Sequence, residues 1–221
     1  MVELVGILQQ IANDMGSRYW RFNAELCEIE MVGVSPTPPS ASEGYVQCDC
    51  NYNNNTVCHV TKIVLKSYNL PGILPPDIGR LPYLQEVILS SNRLTGQLPT
   101  SFSNLINLND FRINDNRLSG RIADFIQNWN QVTRMEMQAS GLEGPIPLNI
   151  SLLSALTDLM LRNCNISGEI PAYIWRLRLL LMLDVSFNKL VGQIPNDIAR
   201  NLRTVSEKSS AVKVLQMIGF C

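Results

Sequence analysis

One spacing dominates this chain of 221 residues, and it is 24. Val60, Leu84, Leu108, Val132, Leu156 and Leu180 each stand 24 residues after the one before. Three positions into each block comes Ile63, Val87, Phe111, Met135, Leu159 or Leu183, and two further on Leu65, Leu89, Ile113, Met137, Leu161 or Val185. A glycine column is complete at Gly72, Gly96, Gly120, Gly144, Gly168 and Gly192, and a proline follows it in every copy except the one holding Ala123. Six copies without an insertion mean that each block is one supersecondary unit, unable to bury its apolar side alone and obliged to stack on its neighbours. The expected fold is therefore an α/β solenoid.

The spacing within a copy says which part is which. Apolar residues two apart point to the same face of a short strand, so the strands of successive coils should pair in parallel with their leucines turned inward. Asn92, Asn116 and Asn188 fall in the turn after the strand, where a side-chain amide can satisfy backbone groups left between coils. Tyr68, Ser140 and Cys164 take that place in the other copies. The back of the coils carries Ile78, Phe102, Ile126, Ile150, Ile174 and Ile198, then Leu81, Leu105, Trp129, Leu153 and Leu177, which read as core.

A solenoid needs a lid at each end. Residues 1–59 are expected to form the first one, with a helix over 2–15 built on Leu4, Leu8, Ile11 and Met15 and stopped at Gly16. Trp20 and Phe22 should help it cover the first coil; 28–47, with Pro36, Pro38 and Pro39, reads as an irregular stretch within a cysteine-rich loop over 27–58. The repeats occupy 60–202. The tail 203–221 carries no cap motif, and a seventh copy would turn Glu207 and Ser209 inward. The natural array is expected to continue further, with this tail a fragment end or an altered reading.

Composition excludes several classes. Lys plus Arg is 18 against 19 for Asp plus Glu, so no basic excess exists to neutralise a nucleic acid. The longest apolar run, Leu179–Leu183, is far short of the ~20 residues of a membrane helix. The first dozen residues lack Lys and Arg and are interrupted by Glu3, so no secretory leader is read there. Four of the six cysteines nevertheless lie between Cys27 and Cys58, which points to an oxidising compartment. A chain cut from a longer one reconciles the two.

The pattern LxxLxLxxNxLxGxIP is a leucine-rich repeat, and its LxGxIP form resembles the extracellular repeats of plant receptor-like serine/threonine kinases. Trp20-Arg21-Phe22-Asn23 with Cys27 resembles the cap of that group. The stretch from Cys48 to Thr61, together with Leu81-Pro82-Tyr83-Leu84-Gln85-Glu86, is similar to the subfamily that pairs leucine-rich repeats with a malectin-like domain. The resemblance implies a right-handed superhelix with its strands on the concave face. It also implies an N-terminal piece of a parent with a leader, a membrane span and a cytoplasmic kinase, on the outer side of the plasma membrane. No Gly-rich phosphate loop, HRD or DFG is present, so the chain itself is expected to be no enzyme.

Chemistry is sparse. Cys48, Cys50, Cys58 and His59 are acceptable zinc ligands, but C-x-C and adjacent Cys-His lack the usual zinc spacing, and no metal or cofactor is expected. Disulfides among Cys27, Cys48, Cys50 and Cys58 fit better: either 27–48 with 50–58, or 27–50 with 48–58, since one intervening residue disfavours 48–50. Sequons at Asn54, Asn149 and Asn165 are expected to carry glycans. The outward strand positions form columns: Lys62, Glu86, Asp110, Arg134, Asp158, Met182; then Val64, Ile88, Arg112, Glu136, Met160, Asp184; then Lys66, Ser90, Asn114, Gln138, Arg162, Ser186. Opposite charges fall on neighbouring strands, as in Lys62 with Glu86, Asp110 with Arg134 and Asp158, and Arg112 with Glu136. These residues, with Arg162 and Asp184, form either a self-neutralising ladder or a polar strip for a partner. The expected function is recognition of a peptide or protein ligand, with association to a co-receptor ectodomain. A secreted inhibitor of a cell-wall-degrading enzyme, or a decoy, is the alternative; an intracellular scaffold would require free thiols.

Overall fold

Helix α1 spans Val2–Asp14, and its apolar spacing puts Ile7, Leu8, Ile11 and Ala12 into the core, with Met15 just beyond it. Its outer face is polar, with Gln9 bonded to Asn13 and Gln10 to Asp14 one turn on. Gly16, at φ 70°, ends it. In this computed structural model residues 2–17, 20–23, 27–31, 39–52 and 57–192 are described. Asn54, Ile198 and the tail 203–221 lie outside them.

The end of α1 docks on the first coil through main-chain bonds, Gly72 N–H to the Met15 carbonyl at 3.1 Å and Ile73 N–H to that of Asp14 at 3.0 Å. Gly72 is the member of the glycine column that makes this possible: a Cβ there would run into the Asp14 carbonyl oxygen. The same column serves two ends. In the later coils it admits a left-handed turn, from φ 79° at Gly120 to φ 92° at Gly192, whereas in the first it admits a helix terminus.

The stretch 28–47 is not irregular throughout. Strand β1 (Trp20–Asn23) pairs antiparallel with β2 (Glu28–Met31). Strand β3 (Glu43–Tyr52) pairs antiparallel with β4 (Val57–Lys66). The reason is an edge: β4 is the first strand of the stack, no coil precedes it, and its outer backbone groups need partners. β3 supplies them and turns Val46 inward to 7% exposure. Cys27 is joined to Cys48 and Cys50 to Cys58, the first of the two pairings open from spacing, so one bridge ties β3 to the start of β2 and the other closes the β3–β4 hairpin.

From β4 onward the strands run parallel at the 24-residue register: Glu86–Ile88, Asp110–Arg112, Arg134–Glu136, Asp158–Met160 and Met182–Asp184 complete a seven-stranded sheet. Their central residues Val87, Phe111, Met135 and Leu159 are fully buried. Phe111 lies edge-on to Phe102, at 6.2 Å between centroids, and 4.8 Å from the Trp129 ring. The backs of the coils are short 3-10 turns, Pro76–Arg80, Thr100–Asn104, Asp124–Asn128, Leu148–Leu152 and Ile174–Arg176, that bury Ile78, Phe102, Ile126, Ile150 and Ile174.

Candidate recognition surface

After β4, each coil delivers its outward residues to the concave sheet from a strand only three residues long, so the turn that follows must be fixed. The asparagine column does this. Asn92 accepts from the Leu70 N–H at 3.2 Å and donates to the carbonyls of Leu65 and Leu89 at 2.7 and 3.0 Å. Asn116 repeats the pattern on Leu94, Leu89 and Ile113, and Asn188 on Cys164, Ile166, Leu161 and Val185. One amide thus satisfies main-chain groups of two coils.

The substitutes solve the same problem differently. Tyr68 has no earlier coil to bridge and instead lays its ring against Gly44 of β3, leaving no room there for a Cβ. The Ser140 side chain is too short, so the backbone closes in: Leu118 N–H donates to the Ser140 carbonyl at 2.7 Å. Gly141 permits this, because a Cβ at that position would meet the Leu118 carbonyl oxygen. Cys164 donates its thiol to the Met137 carbonyl at 3.1 Å. The residue before this column is left-handed in every coil: Ser67, Ser91, Asp115, Ala139, Asn163 and Phe187 have φ between 48° and 62°. That column escaped the sequence reading, although its small and polar members were a signal and Phe187 stood out from them.

The outward columns fall where the spacing puts them. Lys62 meets Glu86 at 2.7 Å, and this hydrogen bond holds the ammonium above its ordinary pKa. Arg112 reaches Glu136 on the next strand at 3.8 Å, and Arg134 reaches Asp158 at 3.8 Å and Glu136 at 3.6 Å. Asp110 departs from the expected ladder. It takes a two-pronged bond from Arg112 on its own strand, Nε to Oδ1 at 2.8 Å and Nη2 to Oδ2 at 2.5 Å. A fork of this kind outcompetes the single contact that Arg134 could offer across the strands.

Beyond Asp158 the ladder stops. Asp184 accepts from the Ser186 N–H and hydroxyl at 3.1 and 2.6 Å. Arg162 has no carboxylate partner among the described residues and lies over the Phe187 ring, 4.7 Å from its centroid. Phe187 is 64% exposed. Together with Met160, Asp115 and Gln138 they line an open cavity of about 480 Å3.

Elsewhere the sites are simpler. Asn165 is exposed, and the Asn149 side-chain amide donates to the Asp124 carbonyl at 3.2 Å. His59 stacks on Tyr83 with centroids 3.8 Å apart. Among the described residues no group of three or more His, Cys, Asp or Glu could hold a metal ion, and no helix is long and apolar enough to cross a membrane.

The family model described as Leucine Rich Repeat matches residues 83–105 and 155–177. A protein of Arabidopsis thaliana named as a probable LRR receptor-like serine/threonine-protein kinase, RFK1, is 51% identical over 82 residues, which cover 37% of this chain and 8% of that protein. The chain therefore corresponds to a small part of such a relative, within its repeats, and contains no kinase domain. A chain in the crystal structure of the Arabidopsis thaliana BIR3–SERK2 complex superposes with a TM-score of 0.65 at 26% identity, covering 86% of this chain and 96% of that one. The plant peptide hormone receptor RGFR1, solved in complex with RGF2, gives a TM-score of 0.56 at 32% identity over 58% of this chain and 21% of the receptor.

Proposed function

Starting from a leucine-rich-repeat chain whose relatives are plant receptor-like kinases, we propose that it is an extracellular recognition module that binds a peptide or protein partner on its concave face and passes the signal by associating with another ectodomain. The observation that carries this reading is the sheet itself: inward residues supply the core, which leaves the outward residues of six parallel strands, Val64 apart, free to be chosen for contact. The two solved neighbours support it, one being a plant peptide hormone receptor in complex with RGF2 and the other coming from the BIR3–SERK2 complex. The two cap disulfides suit an oxidising exterior. The parent carries its kinase beyond a membrane span, and Asn54, Asn149 and Asn165 are its glycan acceptors.

The chain is to be secreted from plant cells and immobilised, then exposed to extracellular peptides and to soluble receptor ectodomains. Saturable binding that falls when the outward charges Arg112, Arg134 and Glu136 are inverted supports the proposal. Inhibition of a cell-wall-degrading hydrolase without such binding would instead establish the inhibitor. Enzymatic deglycosylation should lower the mass of the secreted chain by at least two glycans.

A further inference from the structure

On the backs of the coils a regular pattern of bonds gives way, in one turn, to an exposed apolar patch. The second and fifth positions of each back turn face the preceding coil. Polar side chains there donate to its carbonyls: Ser101 to Pro76 at 2.7 Å, Asn104 to Gly79 at 3.3 Å and Asn128 to Ser103 at 3.1 Å. The turn Leu148–Leu152 keeps half of this arrangement. Asn149, at its second position, donates to the Asp124 carbonyl at 3.2 Å, but Leu152 stands at the fifth and is 54% exposed. Leu148, at the first, is 71% exposed. Residues three apart eclipse in a 3-10 turn, so Leu152 lies on the same side as Asn149. Phe125 and Tyr173 hold the place of Asn149 on the coils before and after, 24 residues away in each direction, and both are half-buried against the core. The asparagine of the Asn149-Ile150-Ser151 sequon is therefore flanked by an exposed leucine on its own turn and an aromatic ring on each neighbouring coil.

We infer that this apolar bed is the seat of the first N-acetylglucosamine of a glycan on Asn149, which makes that sugar a packed part of the convex surface. The inference rests on the reading of Asn149 as a glycan acceptor. Transfer from a lipid-linked oligosaccharide diphosphate forms the bond from Nδ2 to the sugar C1 as the bond from C1 to the diphosphate breaks. The lipid diphosphate leaves, one amide proton is lost, and the other stays for the Asp124 carbonyl. N-acetylglucosamine has two apolar features, the C–H groups of its ring face and its acetamide methyl. Leucine and aromatic side chains take such groups out of water. Attachment names the occupant, because the sugar is tethered to the residue that these side chains surround. Asn165 supplies the contrast: it is exposed, and its equivalents on the neighbouring coils are Gly141 and Lys189, which offer no comparable bed.

The full chain is secreted from plant cells and compared with three variants and a control. Ser151→Ala removes the sequon at an exposed position and leaves Asn149 in place. Leu152→Arg introduces the residue type that Arg80 and Arg176 hold at this position of other coils. The third variant combines the two, and Ser167→Ala removes the Asn165 sequon as the control. Glycopeptide mass spectrometry should find Asn149 occupied in the wild type and in Leu152→Arg. Ser151→Ala is expected to lower the melting temperature by about 2–4 °C, and Ser167→Ala to leave it unchanged. In the Leu152→Arg background, loss of the sequon should cost far less. Trimming the wild-type glycan to its first sugar with an endoglycosidase should leave the melting temperature where it was. An Asn149 found bare overturns the acceptor reading and the seat together. An occupied Asn149 whose loss changes nothing, or costs the same with and without Leu152, overturns the seat alone, as does a fall on trimming.

Discussion

The inward and outward residues of the concave strands differ by a single position along the chain and by almost everything else. Val87, Phe111, Met135 and Leu159 are sealed from solvent and interchangeable in chemistry, varying only in volume. Their neighbours Glu86, Asp110, Arg134 and Asp158 are partly exposed and vary in sign from strand to strand. Because side chains alternate across a strand, the two sets are selected independently. A coil can therefore change the surface it presents without changing what holds it together.

That contrast can be broken most severely from the inside. Phe111→Ala removes a ring packed against Phe102 and Trp129 and should cost about 3–5 kcal/mol of stability in chemical denaturation, with the outward charges untouched. Next comes the turn that joins the two sets. Asn116→Ala strands the Leu94 N–H and the Ile113 carbonyl, each buried polar group left unpaired costing about 1–3 kcal/mol, while the Leu89 carbonyl keeps its bond from Asn92. Ser140→Ala should cost much less, since the Ser140 main chain already carries the equivalent bond from Leu118. Comparing their denaturation midpoints tests whether the backbone has taken over the amide's role. On the outside, a double-mutant cycle on Lys62 and Glu86 should give a coupling of only about 0.2–1 kcal/mol, shrinking with added salt.

The smallest effect concerns alkaline pH. Tyr173 donates its hydroxyl to the Pro147 carbonyl at 2.5 Å, and burial pushes its pKa up from 10.0 to about 12. The folded state therefore keeps the phenol proton, so this contribution is intact below pH 10.0 and is lost as pH rises toward about 12. Phe at that position should flatten the fall in melting temperature across that window. An equally steep fall in Tyr173→Phe would show that another group governs it.

Much of this was legible in the sequence because a repeat states its own register. Once Leu84 and Leu108 are aligned, the partners of Glu86 and Arg112 follow by adding 24, and the structure pairs them so. The cap was less legible because β3 belongs to no repeat. Its strand exists to satisfy the edge of β4, a need visible only after β4 is placed. The ladder was misjudged at Asp110 because spacing counts neighbours across strands but does not weigh a forked bond along one. Phe187 was missed for a related reason. Its column carries a backbone conformation rather than a side-chain type, so its members share no chemistry that alignment alone would collect.

The antiparallel pairing of β3 with β4 has a further consequence, in how far a lesion reaches. A stack of identical coils could begin anywhere and extend both ways, but the reversed strand and its two disulfides close one end. The side-chain bonds between coils span only 22 to 27 residues, so each coil is held by its neighbours in sequence. The contacts of the cap are complete once the first coil is in place, and those of each coil once its two neighbours are, so a lesion in a late coil leaves the contacts of the earlier ones intact.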